Sequence, residues 1–406
     1  MSRLSVLGVA LATLSLGAAT VNSTVAMRSD EEVGTSLTIY TGNLALVRRS
    51  LDIVLTPGSR SIRVDGLPTN MDRSSLIVLN DGVTLLGAHG FRSYQDMASG
   101  AGASLDLDLE VERQVDTLEL AFLTTGLNWT ADYSVVIARG DASARVDGYA
   151  DLVNGSGTTF EGAEVQLLAG TIQRGVGGRY RADDYRALAM EEAASAPELQ
   201  QAAFGDYHMY TVSSPLSLRA GESRRIRMFG SRSIRTQKEY VLVHNVVYHR
   251  QYPEPVTQPV AVGYRIERPE ESEFGKLPLP GGQVKVMQRD EAGRIQLLGI
   301  ATIANKPEGE DLRLSTGLAF DIVGTRTQTE YKRLANGTYE SAWKVELRNK
   351  SDSAVTVQVI EQLSGDWRIV ASTHESQKLS AGAVRFQIDV PAGGESILDY
   401  TVQVRS

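Results

Sequence analysis

The sequence predicts an all-β protein of two or three β-sandwich domains of immunoglobulin-like type, with one short helical or disordered insertion. Three observations predict it. Apolar and polar residues alternate with a period of two nearly everywhere. The purest case is Leu105-Asp106-Leu107-Asp108-Leu109-Glu110-Val111-Glu112, apolar on one face and acidic on the other. Turn chemistry such as Pro57-Gly58, Asn80-Asp81-Gly82 and Gly281-Gly282 recurs, the second as a tight-hairpin signal. Its spacing of roughly eight to twelve residues suits sandwiches rather than strands alternating with helices around a parallel sheet.

Residues 1–26 read as a targeting segment. Arg3 supplies the positive start, Leu4 to Ala19 is apolar and small, and either Ala19 or Ala26 offers a cleavage site. The apolar run is shorter than the roughly 20 residues a spanning helix needs, so a mature chain without a transmembrane segment is expected. An N-terminal β domain is expected over 37–114, with strands at 37–40, 44–54, 60–64, 76–79, 83–88 and 105–112. A central β-sandwich over 115–250 follows, with strands at 118–123, 133–138, 165–168 and 240–247. A strand-free insertion is expected over 175–206, rich in Gly, Arg, Ala and Glu, with Asp183-Asp184 as the candidate cap of a short helix that Pro197 would stop. Pro253, Pro255, Pro259 and Pro269 suit a domain boundary near 250–260. A C-terminal immunoglobulin-like sandwich is expected over 251–406, ending in strands at 343–349, 355–362, 367–371, 384–390 and 397–404. Trp343 and Trp367 are its core or half-buried aromatics.

Composition narrows the function classes. A net charge of −8 argues against a nucleic-acid partner, whose phosphates reward a basic domain. The chain has no cysteine, so a disulfide framework, a thiolate metal site and a lipoprotein anchor are excluded, and the fold must hold by packing alone. The 33 arginines against 8 lysines suit a bacterial, Gram-negative source, in which the Asn-X-Ser/Thr sequons at Asn128, Asn154 and Asn336 are idle.

Catalytic and cofactor motifs are weak. His374-Glu375-Ser376-Gln377-Lys378 has Lys where a zinc-protease helix needs its second His, and no Gly-X-Ser-X-Gly elbow occurs. His244 and His249 are oddly spaced on one strand and face opposite ways. Gly175-Val176-Gly177-Gly178 lacks a P-loop lysine. No cofactor and no metal site is implied. Asp106, Asp108, Glu110 and Glu112 stand about 7 Å apart along one strand face. A straight strand does not wrap a calcium ion, so an ordinary solvated face is expected there. The basic outlier is Arg219, Arg224, Arg225, Arg227, Arg232, Arg235 and Lys238, against Glu222 alone. Arginine forks at Arg224, Arg225, Arg227, Arg232 and Arg235 suit carboxylate or phosphate partners. The bland alternative is pairing with the acids around Glu267 to Glu273.

Several separated elements occur in a shared order. They are Gly126-Leu127-Asn128-Trp129-Thr130-Ala131-Asp132-Tyr133, Asn154 to Gly170, Tyr207-His208-Met209-Tyr210-Thr211, Leu277-Pro278-Leu279-Pro280-Gly281-Gly282, and Gly317 to Gly324. Together they resemble the bacterial exported family "domain of unknown function 4139", and the resemblance covers Val115 to Ser406. Tyr40 to Val47 and Asp65-Gly66-Leu67-Pro68 resemble its N-terminal β-rich companion domain, without the coiled-coil insertion of some relatives. The resemblance implies export and a β-rich architecture, and it supplies no catalytic residues.

The expected function is that of an exported periplasmic or cell-envelope protein, a non-catalytic binding or structural module whose partner is an envelope protein or an acidic glycan. The alternative is a glycan hydrolase using paired carboxylates drawn from Asp132, Asp151, Glu161 and Asp321.

Overall fold

The computed structural model describes residues 24–26, 32–93, 102–170, 199–204, 207–245 and 250–405, which are all-β and form three hydrogen-bonded sheets. The rest of the expected targeting segment, the helix expected after Asp183, Gly175 to Gly178 and His249 lie outside the described residues. In chain order, β1 (Thr24–Ala26) precedes the antiparallel pair β2 (Glu32–Tyr40) and β3 (Leu44–Leu55). Next come β4 (Gly58–Leu67), β5 (Met71–Val78), β6 (Val83–Ser93), β7 (Ala103–Val111) and β8 (Val115–Thr124). β7 lies between β4 and β6 in a four-stranded sheet with β1 parallel at its edge, while β8 pairs with β3 and β5 in another.

β9 (Leu127–Ile137), β10 (Ser143–Asn154) and β11 (Phe160–Ala169) follow, then β12 (Leu199–Phe204), β13 (Tyr207–Val212) and β14 (Leu216–Leu218). β15 (Ser223–Asn245), β16 (Val256–Ile266), the hairpin β17 (Gly282–Arg289) and β18 (Ile295–Ile303), and β19 (Leu312–Arg333) lead into the last third. That part holds β20 (Thr338–Asn349), β21 (Val355–Gln362), β22 (Asp366–Ser372), β23 (Ser376–Ser380), β24 (Ala383–Val390) and β25 (Glu395–Arg405). Sheet membership runs across the limits drawn at 114 and 250, because β2 pairs with β11 and β17 with β9, both in parallel. One large core gathers Leu37, Val47, Leu105, Phe122, Trp129, Val146 and Tyr264, and a second gathers Trp343, Val345, Phe386 and Tyr400. β15 and β19 feed both: Met228 and Leu314 enter the first core, Leu242 and Ile322 the second.

One strand plan occurs twice. The series β11, β2, β3, β8 is joined by a parallel and then two antiparallel ladders, and so is the series β21, β15, β16, β19. The antiparallel triple β9, β10, β15 likewise matches β19, β20, β25. β15 closes the first unit and opens the second. The corner after the middle strand follows the same plan in both, with one further bond in the second, from Asn349 to Pro391 O at 3.1 Å. Buried Asn154 donates to the Thr158 and Leu218 carbonyls (2.9 and 3.0 Å) and accepts from Ser156 N and Oγ (3.1 and 2.7 Å). Buried Asn349 donates to the Ser353 and Val390 carbonyls (2.8 and 3.4 Å) and accepts from Ser351 N and Oγ (2.9 and 2.7 Å). Each corner backbone N–H reaches the returning chain at 2.9 Å, through Glu222 O and Gly394 O respectively. Truncation removes a fully buried amide and leaves its carbonyl partners without a donor, so Asn154→Ala and Asn349→Ala should each cost about 2–3 kcal/mol in urea unfolding. A loss below about 0.5 kcal/mol at either corner would contradict the shared role.

Three expectations change. Asn80-Asp81-Gly82 does not close a hairpin, since β5 and β6 join different sheets. Asn80 instead clips β8, donating to Thr117 O at 2.9 Å and accepting from Glu119 N at 2.7 Å. The strand-free stretch expected over 175–206 ends earlier, because β12 pairs with β13 along its whole length. The acidic face of β7 is paired rather than simply solvated. Asp106 meets Arg63 at 2.8 Å and Arg92 at 3.4 Å, Asp108 meets His89 at 3.1 Å, and Glu110 accepts from Ser59 at 2.6 Å. The hydrogen bond from Arg63 holds the Asp106 carboxyl below its ordinary range, against the opposing push of burial.

Candidate functional site

Most of the sequence motifs are interior. Trp129 and Tyr133 alternate into the first core from β9 and spend their polar atoms on backbone: Trp129 Nε1 donates to Leu168 O at 3.1 Å, and the Tyr133 hydroxyl to Pro280 O at 2.7 Å. The Tyr210 hydroxyl donates to Pro278 O at 3.0 Å. Burial pushes both phenols well above their ordinary range. Arg268, fully buried, donates to Leu277 O, to Pro307 O at 3.0 Å and to Glu310 O at 2.9 Å. Burial lowers its guanidinium from the ordinary value, with nearby hydroxyls and acids opposing. Three carbonyls of Leu277-Pro278-Leu279-Pro280 are thus gripped from the core. The glycine opening the Trp129 motif also has a steric cause, because Gly126 (φ 91°) lies so close to Gly155 that a Cβ would meet its carbonyl oxygen at 2.6 Å.

The basic run lies on the outer face of the first unit. Register sets Asp132 of β9 opposite Tyr149 of β10 and Gln283 of β17, Tyr149 opposite Arg227 of β15, and Asp151 opposite Arg225. Alternation then turns all of them outward. Arg225 donates to Asp132 Oδ1, lies 3.5 Å from Asp151 Oδ1 and covers the Tyr149 ring at 4.4 Å. Lys285 donates to Asp132 Oδ2. Asp147 is shared between Arg227 (3.3 Å) and Arg145 (2.8 Å). Arg224 donates to Ser217 O at 3.0 Å, and Arg235 pairs with Glu267 at 3.4 Å, as the bland sequence alternative has it. The side chain of Arg232 lies outside the described residues. The run is therefore mostly neutralised, by Asp132, Asp147 and Asp151 more than by the acids near Glu267. Sequence reasoning missed Arg145, Asp147, Tyr149 and Lys285, although the period-two pattern of 143–154 carries the first three.

Of the four carboxylates of the hydrolase alternative, the structure brings Asp132 and Asp151 together on Arg225 and leaves Glu161 on β11 and Asp321 on β19, exposed and in different sheets. Asp132 has both oxygens engaged by cations. A second ionic cluster is buried in the second unit. Glu361 accepts from Arg326 at 3.1 and 2.9 Å and meets His244 Nδ1 at 2.9 Å. Arg326 also donates to the Tyr400 hydroxyl at 2.8 Å and stacks on Trp343. Among the described residues, no group of three or more His, Asp and Glu is placed to hold a metal ion.

No family model matches the chain, and no curated protein is significantly similar to it.

Proposed function

We propose that this is an exported cell-envelope protein, related to "domain of unknown function 4139", that acts by recognition rather than by catalysis. The observation that carries the reading is the outward band on β17, β9, β10 and β15, where cations are held in place by carboxylates set beneath them. A band of fixed cations suits an anionic partner in the envelope, either a protein or an acidic glycan. The same pairing speaks against the hydrolase alternative: an acid and base pair needs a free carboxyl oxygen on each side of the scissile bond, and those of Asp132 are taken by Arg225 and Lys285. The apolar leader and the motif order support export and kinship.

The test is to incubate the purified chain with an envelope glycan fraction and follow both retention on the immobilised material and release of soluble fragments. Retention without release is expected. Fragment release abolished by Asp151→Asn would reverse the reading in favour of hydrolysis.

A further inference from the structure

Resting on that recognition reading, we propose that the band on the first unit is a binding site for a glycan carrying carboxylates along its length, and that the second unit has no equivalent of it. The first ground is what the solvent meets. The side chains of Arg145, Arg225, Arg227 and Lys285 keep 50%, 47%, 53% and 38% of their surface exposed, whereas Asp132 and Asp147 keep 11% and 9%. Asp132 and Asp147 are a floor, Asp151 at 37% is as open as Lys285, and the four cations make up most of the accessible charged layer. Each guanidinium carries five N–H donors, and contacts among the described residues occupy no more than two of them on Arg225 and one on Arg227. The remaining donors belong to side chains whose rotamers are already fixed, so a ligand forfeits less conformational entropy in ordering them.

The second ground is an internal control. Counted from the corner asparagines and along the two registers, Asp132, Asp147, Tyr149, Arg225 and Arg227 correspond to Thr327, Ala342, Lys344, Ile397 and Asp399. The same strand plan and the same corner therefore form without this set of cations, carboxylate floor and aromatic plate. The fold does not require the band.

The third ground is its shape. The cations lie on β17, β10 and β15, with Asp132 of β9 between, so the band spans four adjacent strands, roughly 14 Å across at the usual strand spacing, on a sheet face rather than in a pocket. An extended polymer with repeated anionic groups matches that layout better than one small anion. A membrane surface calls for a band of apolar side chains, and a protein partner for aromatic or aliphatic anchors. The described residues of β9, β10, β17 and the part of β15 paired with β10 offer Val153 as their single exposed large hydrophobic, while the edge strand β18 beyond them exposes Ile295, Leu297 and Ile300, the last opposite Lys285.

The experiment uses the full chain without its leader and measures binding to polygalacturonate, with dextran, polyglutamate and anionic phospholipid vesicles as comparisons, at low and high salt. Polygalacturonate should bind, and salt should weaken it. Arg225→Met and Arg227→Met should each weaken it at least tenfold, while Lys344→Met, at the position of the second unit that corresponds to Tyr149, leaves it unchanged. Should a β15 variant fail to fold, Lys285→Met on β17 provides the same readout. Undiminished binding by folded Arg225→Met and Arg227→Met overturns the site while leaving the recognition reading standing. Preference for polyglutamate or vesicles overturns the ligand class, and so does failure to bind any probe. Release of galacturonate fragments overturns the recognition reading itself.

Discussion

Replacing Glu361 with glutamine is expected to destabilise the second unit by about 3–5 kcal/mol, the usual cost of removing one partner from a buried ion pair. Glu361 is fully buried, and its two oxygens are the charged partners of Arg326, which is wedged between Trp343 and the Tyr400 hydroxyl. The amide keeps the shape and leaves the guanidinium charge uncompensated in an apolar core. Urea unfolding followed by tryptophan fluorescence measures this, since Trp343 lies against the guanidinium. Glu361→Gln combined with Arg326→Met should recover part of the loss by removing both charges, and a double variant no better than the single would contradict the account.

The same group gives a pH dependence. Burial pushes the Glu361 carboxyl up, but the hydrogen bond from His244 and the charge of Arg326 outweigh it and hold it below its ordinary 4.5. A carboxyl lowered by folding stabilises the folded state fully above its unfolded value and loses that contribution as pH falls through the folded one. Wild type should therefore lose stability below about pH 4.5 more steeply than Glu361→Gln. Parallel acid profiles for the two proteins would remove the claim.

The other large effect is expected at Arg268. Arg268→Met keeps much of the side-chain volume and takes from the carbonyls of Leu277, Pro307 and Glu310 the donors of a fully buried guanidinium, at a cost of about 3 kcal/mol. Because the gripped segment also receives the Tyr133 and Tyr210 hydroxyls, the disturbance should spread along Leu277 to Pro280. Hydrogen exchange on β17, which this segment leads into, should speed up in the variant. A midpoint unchanged from wild type would mean that water reaches those carbonyls and that the grip is dispensable.

How far the sequence could be read follows from the range over which each cause acts. Alternation along Leu105 to Val111 is local, so the β class, the apolar face of β7 and strands such as β3, β8, β21 and β24 were visible from residues alone. The doubled plan was partly legible too. Asn154-Gly155-Ser156-Gly157-Thr158 and Asn349-Lys350-Ser351-Asp352-Ser353 share their Asn, their Ser and a final hydroxyl residue, and Leu168-Ala169-Gly170 and Leu363-Ser364-Gly365 fall equally far beyond them. The match is hidden because the rest of each unit is free to vary as long as it alternates. Arg268, between Glu267 and Pro269, reads as a surface arginine, and nothing near it in the chain announces that it will be buried.

Partner choice is where local information stops. The sequence by itself determined that this chain forms alternating strands, which side chains share a face, and that it carries a concentration of arginine between residues 219 and 238. Tertiary structure decided that Asp132, Asp147 and Asp151 would take those arginines in place of most of the acids near Glu267, that Lys285 would join them through a parallel ladder, and that His244 would meet Glu361. The reason is physical. A strand's period fixes which way a residue points, but only register between strands distant in sequence fixes what it points at, and charge pairing acts at a few ångströms.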